Sequence, residues 1–164
     1  MATTAVYPGT FDPVTNGHTN VVRRASRLFD RIVVAVVDDN FNKRCLFSTD
    51  ERIALAETAL ADCPGIEVVP FSVLLVEFAA QQKADAIIRG LRAVSDFEYE
   101  FQLAAMNRKL NSDIETIFMA PDERYGFVSS SLIKEVSKFD GEIADFVHPA
   151  VCAALKTKYA NRTK

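Results

Sequence analysis

His18 stands where its side chain could act on a bound anion. A short apolar run over residues 5–7 ends at Pro8 and Gly9, and a loop of small and polar residues then leads to Gly17 and His18. An amphipathic stretch of helical period follows directly. A strand, a turn and a helix N-terminus in this order direct unpaired N–H groups and the positive end of the helix dipole at one place. The segment therefore predicts an anion-binding site, to which His18 adds a donor.

Cationic side chains follow several predicted strands at the points where those strands end. Lys43 and Arg44 follow the second strand, Arg89 and Arg92 flank the end of the fourth, and Arg124 follows the fifth. Arg89 ends an apolar run, where a charged side chain needs a ligand or a carboxylate as its partner, and we interpret it as functional. Arg44 and Arg124 are interpreted as solvated, since exposure is the rule for such side chains.

The first loop does not carry the common nucleotide-binding motifs. Its spacing is neither GxxxxGK[ST] nor GxGxxG, which argues against a P-loop and a dinucleotide fingerprint. The pair Asp38 and Asp39 ends a strand and is interpreted as part of a solvated loop. No set of His, Cys and carboxylate residues has the spacing of metal ligands, so we predict no metal site made by the protein. Residues 129–131 are serines that open a helix, where capping and phosphate binding use the same N–H groups.

Composition limits the class of protein. The 164 residues are 49% hydrophobic, which suits one globular domain spanning 1–164. A formal charge of −3 gives no electrostatic case for binding nucleic acid. Three cysteines without paired or metal-ligand spacing suit a reducing cytosol, and neither a signal peptide nor a membrane span is expected. The cysteines are Cys45, Cys63 and Cys152. We expect a cytoplasmic protein.

Five apolar, β-branched runs predict strands over residues 3–7, 31–37, 66–69, 85–89 and 114–119. Most are apolar throughout, as parallel strands covered on both faces are. Helical patterns separate the runs, and Ser48 with Glu51 and Ser95 with Glu98 have capping-box spacing. Repeated strand–helix units with right-handed crossovers predict an α/β fold with a doubly wound, five-stranded parallel sheet of order 3-2-1-4-5. In this order the loop over 8–18 lies beside the loop over 89–92, at the switch point where ligands bind.

Two segments resemble a known family. Residues 15–18, Thr-Asn-Gly-His, resemble the [T/H]xGH signature of the nucleotidylyltransferase superfamily, whose fold is Rossmann-like. Residues 87–108 resemble the RGLR…DFEYE…MNR block of the bacterial phosphopantetheine adenylyltransferase family. Further resemblance lies in residues 7–13, in Asn40, Lys43 and Phe47, and in residues 50–52 and 127–131, so that it spans nearly the whole chain.

The resemblance implies a reaction and a set of site residues. The reaction is transfer of the adenylyl group of ATP to 4′-phosphopantetheine, with His18, Thr10 and Lys43 acting on the reacting phosphates. Phosphopantetheine would contact Thr10, Lys43, Leu75 and Arg89. ATP would contact Thr10, Phe11, His18, Gly90, Leu91, Arg92, Glu100, Tyr125, Gly126, Phe127, Val128, Ser129, Ser130 and Ser131. Magnesium would be held largely by phosphate oxygens and water, and dephospho-coenzyme A or coenzyme A would bind as product or inhibitor.

Other interpretations stay open at this point. A related nucleotidylyltransferase acting on another phosphate, such as nicotinate mononucleotide, would need a similar loop and histidine. A regulatory module that binds nucleotide without turnover would need the phosphate cradle alone. We also expect a closed homo-oligomer, because Phe97, Phe101, Leu103 and Met106 give the helix over 95–110 more apolar surface than one face can bury. The family resemblance implies a hexamer.

Overall fold

Five parallel strands form one sheet in the computed structural model, which describes residues 2–39, 45–92 and 94–160, without the side chains of 94 and 95. The strand order is β3-β2-β1-β4-β5, as predicted, so the sheet reverses direction between β1 and β4. The strands are β1 Thr4–Gly9, β2 Arg31–Val37, β3 Ile66–Phe71, β4 Ala86–Gly90 and β5 Glu115–Met119.

Helices alternate with the strands. They are α1 Asn16–Ala25, α2 Thr49–Ala59, α3 Leu75–Gln81, α4 Val94–Leu110, α5 Ser130–Lys138 and α6 Pro149–Ala160, with a short 3-10 helix over Glu123–Tyr125. The predicted elements are all present, and most boundaries differ by one or two residues. Strand β1 extends to Gly9, two residues beyond the prediction, because Pro8 and Gly9 continue the pairing with Ala35 and Val36 of β2.

The apolar runs of β1, β2 and β4 are buried on both faces of the sheet, which is why they lack polar alternation, whereas the edge strands β3 and β5 are mostly half-buried. Tyr7, Val34 and Ile88 pack on one face beneath α1, α2, α5 and α6. Val6, Val33 and Ile87 pack on the other face with α3. This period-two division is that of a doubly wound sheet.

Helix caps set where several helices begin. Ser48 and Glu51 form the predicted capping box of α2, and Ser129 caps α5. The predicted cap at Ser95 is wrong, because α4 begins at Val94 and Ser95 is already inside the helix. Within the described part of the chain, no helix is long and apolar enough to cross a membrane.

Candidate active site

A cavity of about 430 Å³ opens at the carboxyl ends of the strands. It lies where β1 and β4 are neighbours, the predicted switch point. Its lining combines the loop after β1, the start of α1, the ends of β2, β3 and β4, and single side chains from α3 and α4. The lining residues are Tyr7, Pro8, Gly9, Thr10, Phe11, Thr15, Gly17, His18, Val21, Val37, Phe71, Leu75, Arg89, Gly90, Arg92, Glu100, Pro121, Tyr125 and Val128.

The loop after β1 folds back on its own strand. Phe11 has a positive φ of 50° and its ring is buried against Tyr7 and His18, with centroid distances of 5.5 and 5.1 Å. A Cβ at Gly9 would lie 2.9 Å from the Phe11 ring, so glycine is required there for the close approach. The loop thereby presents Thr10 and His18 to the same cavity.

His18 belongs to the capping box of α1, in which Thr15 is the N-cap residue, and it also lines the cavity. The Thr15 N–H donates to His18 Nδ1 over 3.0 Å, and Thr15 Oγ1 accepts from the His18 N–H, which completes a capping box. Because a backbone N–H can only donate, Nδ1 is the acceptor and carries no proton. The neutral ring therefore carries its proton on Nε2, on the side away from the cap.

Burial, with a smaller contribution from Arg92, lowers the pKa of His18 from 6.5 to about 4. The imidazole is neutral near pH 7 and offers Nε2–H as a hydrogen-bond donor. The unfolded chain takes up a proton at His18 near pH 6.5, whereas the folded chain does so only near pH 4. The associated stability is therefore present above pH 6.5 and is lost as the pH falls towards 4.

We expect the free energy of unfolding to decrease less between pH 6.5 and 4 in His18→Gln than in the unchanged protein. Glutamine at this position can preserve the capping box while removing the titratable ring. Urea denaturation at several pH values measures the difference. The same pH dependence in both proteins would contradict a lowered pKa of His18.

Arg89 lies at the end of β4 and forms a two-point ion pair with Glu100 of α4. Its Nε donates to Glu100 Oε2 over 2.7 Å and its Nη2 to Oε1 over 2.5 Å. The side chains are only 24% and 12% exposed. The carboxylate partner expected for an arginine at the end of an apolar strand is thus Glu100, and both residues line the cavity. The pair holds the guanidinium in a fixed orientation at the cavity wall.

The predicted nucleotide segment contributes only part of its residues to the cavity. Tyr125 and Val128 line it, and Arg92 donates to the Val128 carbonyl over 3.2 Å. A Cβ at Gly17 would lie 3.4 Å from the Tyr125 Cβ, so α1 and this segment approach closely. Ser130 donates to the Pro13 carbonyl over 2.8 Å, which ties α5 to the first loop. The remaining predicted residues do not line the cavity, namely Leu91, Gly126, Phe127, Ser129, Ser130 and Ser131.

Lys43 and Arg44 lie outside the described residues. The other predicted site residues that line the same cavity are Thr10, Phe11, His18, Leu75, Arg89, Gly90, Arg92, Glu100, Tyr125 and Val128. Arg124, interpreted as solvated, has a side chain that is 72% exposed and pairs with Asp122 on the surface.

The Asp39 side chain is 43% exposed, as expected for a solvated loop, and it also binds neighbouring groups, which the sequence does not predict. It accepts from the Thr49 N–H over 2.8 Å and from Arg52 Nη2 over 2.5 Å. The Thr49 hydrogen bonds, reinforced by Arg52, hold the pKa of Asp39 below its usual value. Arg52 is fully buried and also donates to the carbonyls of Thr10 and Val37, each over 2.8 Å. Arg52 therefore connects, from inside the fold, two parts of the cavity lining: the loop after β1 and the end of β2.

Sequence reasoning missed Arg52. A signal was available: Arg52 lies one turn before Ala56 and about two turns before Ala59, all on the buried face of α2. An arginine on an apolar helix face must find acceptors inside the fold, and the strand ends provide carbonyls.

Among the described residues, no group of three or more His, Cys, Asp and Glu side chains is placed to hold a metal ion. Asp12, the acidic residue of the first loop, accepts hydrogen bonds from two backbone N–H groups and from Lys134. The cavity thus offers donors and cations to an anionic ligand rather than a cage of carboxylates.

A cavity with these donors at the switch point of a doubly wound sheet is that of a nucleotidyltransferase. The family model described as cytidylyltransferase-like matches residues 6–136, which contain the first loop, His18 and the Arg89–Glu100 pair. Two solved structures share the fold. One, assigned as a nicotinate-nucleotide adenylyltransferase from Vibrio parahaemolyticus, has a TM-score of 0.70 at 17% identity and covers 94% of this chain and 99% of its own. The other, a lipopolysaccharide core biosynthesis protein from Thermoplasma volcanium, has a TM-score of 0.58 at 20% identity, with coverages of 75% and 100%.

Curated relatives define the family more narrowly. A phosphopantetheine adenylyltransferase from Thiobacillus denitrificans is 58% identical over 94% of this chain and 96% of its own length. Proteins of the same name from Nitrosospira multiformis and Alkalilimnicola ehrlichii are 52% and 53% identical, each over 98% of this chain and over 96% and 92% of their own lengths. The chain belongs to the phosphopantetheine adenylyltransferase family, as the sequence resemblance predicts.

Proposed function

We propose that this protein transfers the adenylyl group of ATP to 4′-phosphopantetheine, giving dephospho-coenzyme A and pyrophosphate. The observation that carries the proposal is that His18, Arg92 and the Arg89–Glu100 pair all line the same cavity. A regulatory module that only binds nucleotide would not need this convergence. The relatives that share the family name support this acceptor over other phosphates.

The proposed reaction is an in-line displacement. A phosphate oxygen of phosphopantetheine attacks the α-phosphorus of ATP, and a new oxygen–phosphorus bond forms. The bond to the oxygen bridging the α- and β-phosphates breaks, and pyrophosphate leaves with the electron pair. The attacking phosphate is already ionised, so the step needs neither a covalent nucleophile nor a general base. Catalysis then consists of positioning and of stabilising charge on the phosphate oxygens.

His18 suits the stabilising role as a neutral donor. Its Nδ1 is used by the Thr15 N–H, which leaves Nε2–H to donate to an α-phosphate oxygen. Because Nδ1 is fixed as the acceptor, the ring does not have to change tautomer before it donates. Thr10, at the tip of the β1 loop, would hold the acceptor phosphate together with Lys43.

The residues that line the cavity fall into two halves, according to the face of the sheet on which they lie. Leu75 begins α3, which covers one face of the sheet, and Arg89 shares the strand face of Ile87, which packs there. His18, Tyr125 and Val128 belong to the layer on the opposite face. We assign the first half to phosphopantetheine, whose dimethyl and methylene groups would pack on Leu75 and the neighbouring Phe71, and the second half to ATP. Glu100, predicted to contact ATP, would instead orient Arg89 in the acceptor half.

Magnesium accompanies ATP in this proposal without a site made by the protein. No described group of side chains suits a metal ion, so phosphate oxygens and water would be its ligands. We assign no step of the reaction to it.

Purified protein incubated with ATP and 4′-phosphopantetheine tests the proposal through the release of pyrophosphate. Nicotinate mononucleotide in place of phosphopantetheine serves as the control acceptor. Release with phosphopantetheine alone is the expected result. Release only with the control acceptor, or ATP binding without release with either, would contradict the proposal.

A homo-oligomer is the second part of the proposal. Phe97, Tyr99, Phe101 and Met106 of α4 are each at least half exposed, and the Phe97 ring stacks on Phe101 at 5.8 Å. Leu110 at the end of the helix is also exposed. Phe97 and Phe101 lie one turn apart on the same side of the helix, and exposed apolar side chains of this kind are typical of an interface between copies of a chain. The same helix carries Glu100, so assembly would also support the cavity wall.

We expect light scattering at micromolar concentration to give a mass about six times the 18.2 kDa of one chain. Phe101→Glu should lower the measured mass, because the substitution would place an unpaired charge in the proposed interface and so weaken assembly. Phe139→Glu is the matched control, since Phe139 is 76% exposed on a different helix end. A mass near that of one chain for the unchanged protein would contradict the assembly. The cytoplasmic location and the inhibition by coenzyme A stay predictions.

A further inference from the structure

The Phe11 ring lies between the side chains of Tyr7 and His18 at the wall of the cavity. It is 3% exposed and meets both rings edge to face, with interplanar angles of 65° to Tyr7 and 75° to His18. The positive φ of Phe11 and the absence of a side chain at Gly9 allow the ring to fold back to this place. A phenylalanine rarely adopts this backbone conformation, so the surrounding structure must hold it there.

We propose that Phe11 is a positioning residue for His18, an inference that rests on the proposed function. The hydrogen bond from the Thr15 N–H restrains the imidazole at Nδ1. The edge-to-face contact with Phe11 is a second restraint on the same ring, and it fixes an orientation that one hydrogen bond alone leaves free to rotate. The direction of the His18 Nε2–H, which the proposed reaction uses, therefore depends on Phe11.

Phe11 also helps to exclude water from the imidazole. Burial is the largest cause of the lowered pKa of His18, and the Phe11 ring is in direct contact with it. Arg92 is the charged group that acts on His18, and it contributes less to the lowered pKa. The Tyr7 phenol, which packs on Phe11, adds no charge, because burial raises its pKa and keeps it protonated. A smaller side chain at position 11 should therefore raise the pKa of His18 from about 4 towards 6.5.

An NMR titration of Phe11→Leu without substrate tests the contact directly. The substitution removes the aromatic ring and leaves space beside the imidazole, so we expect the pKa of His18 to be higher than in the unchanged protein. The chain has two histidines, and His148 does not line the cavity, so its ring signals serve as an internal reference. Phe47→Leu is the matched control, because Phe47 is 2% exposed in the same layer of the core and does not line the cavity. It should leave the His18 signals unchanged.

Turnover tests whether Phe11 acts through His18. We expect the kcat of Phe11→Leu to fall on the order of tenfold, less than the roughly 10²–10³-fold loss expected when the His18 donor itself is removed. The Kd for ATP should be nearly unchanged. Combined with His18→Ala, the same substitution should cause little further loss of kcat, because no imidazole is left to orient. A purely stabilising Phe11 would instead lower activity by the same factor with and without His18, and Phe47→Leu should leave kcat per folded molecule unchanged.

Two results would overturn the inference: the same pKa of His18 in Phe11→Leu as in the unchanged protein, or an equal loss of kcat from Phe11→Leu with and without His18. If Phe11→Leu fails to fold, Phe11→Met takes its place in both measurements, because its longer, flexible side chain fills more of the space. Absence of pyrophosphate release from the unchanged protein would count against the proposed function. The titration would still report whether the Phe11 ring controls the surroundings of His18.

Discussion

Replacement of His18 by alanine is expected to lower kcat on the order of 10²–10³-fold, the usual cost of one lost donor to developing charge. The geometry explains why the loss should fall on kcat. The Thr15 N–H fixes the ring with its proton on Nε2, so the donor is oriented before ATP binds. We expect the dissociation constant for ATP, measured by calorimetry, to change little, because the donor acts mainly on charge that develops during the displacement.

The His18→Ala variant also removes a helix cap, and this second effect needs its own control. Glu51 occupies the equivalent third position of the α2 capping box and does not line the cavity. We expect each alanine variant to lose stability on the order of 1 kcal/mol, as loss of a cap does. Only His18→Ala should lose turnover. A near-normal kcat in His18→Ala, or an equal loss in Glu51→Ala, would remove the proposed role of His18.

The fold could be predicted because each apolar run has a single way to be buried. Residues 32–37 of β2 are apolar throughout, as expected for a strand of a sheet covered on both faces. Right-handed crossovers then restrict the strand order, and the order brings the β1 and β4 loops together. His18 was recognised because a histidine directly after a strand–turn segment stands at a helix start, and the structure places it there.

The contacts among charged side chains could not be predicted in the same way. Asp39 and Arg52 are 13 residues apart, and Asp12 and Lys134 are 122 apart, so no local spacing connects them. Arg89 was predicted to need a partner, but the choice of Glu100 depends on how α4 lies against β4. Whether a loop residue such as Asp39 also forms an ion pair depends on which side chains pack beside it, and a single sequence carries little information on that packing.

Arg89→Met is expected to raise the KM for phosphopantetheine by tenfold or more. The substitution removes the cation that the acceptor half offers to a phosphate, and it leaves the Glu100 carboxylate facing the cavity unpaired. Glu100 is 12% exposed, so an unpaired charge there would also repel an anionic acceptor. Steady-state kinetics with each substrate varied in turn measures the effect, and we expect a smaller change in the KM for ATP.

Two further variants separate the parts of this prediction. Arg89→Lys retains the positive charge but loses the two-point geometry with Glu100, so its KM should lie between those of the unchanged protein and Arg89→Met. Arg108→Met breaks a similar contact between α4 and Glu115 of β5, where the side chains are 66% and 57% exposed. It should change neither KM, because an exposed pair away from the cavity is screened by water. If Arg89→Met instead weakened ATP binding and left acceptor binding unaffected, the assignment of the two halves of the cavity would have to be exchanged. The end of β4 would then bind the nucleotide, and the acceptor phosphate would depend on Thr10 and Lys43 alone.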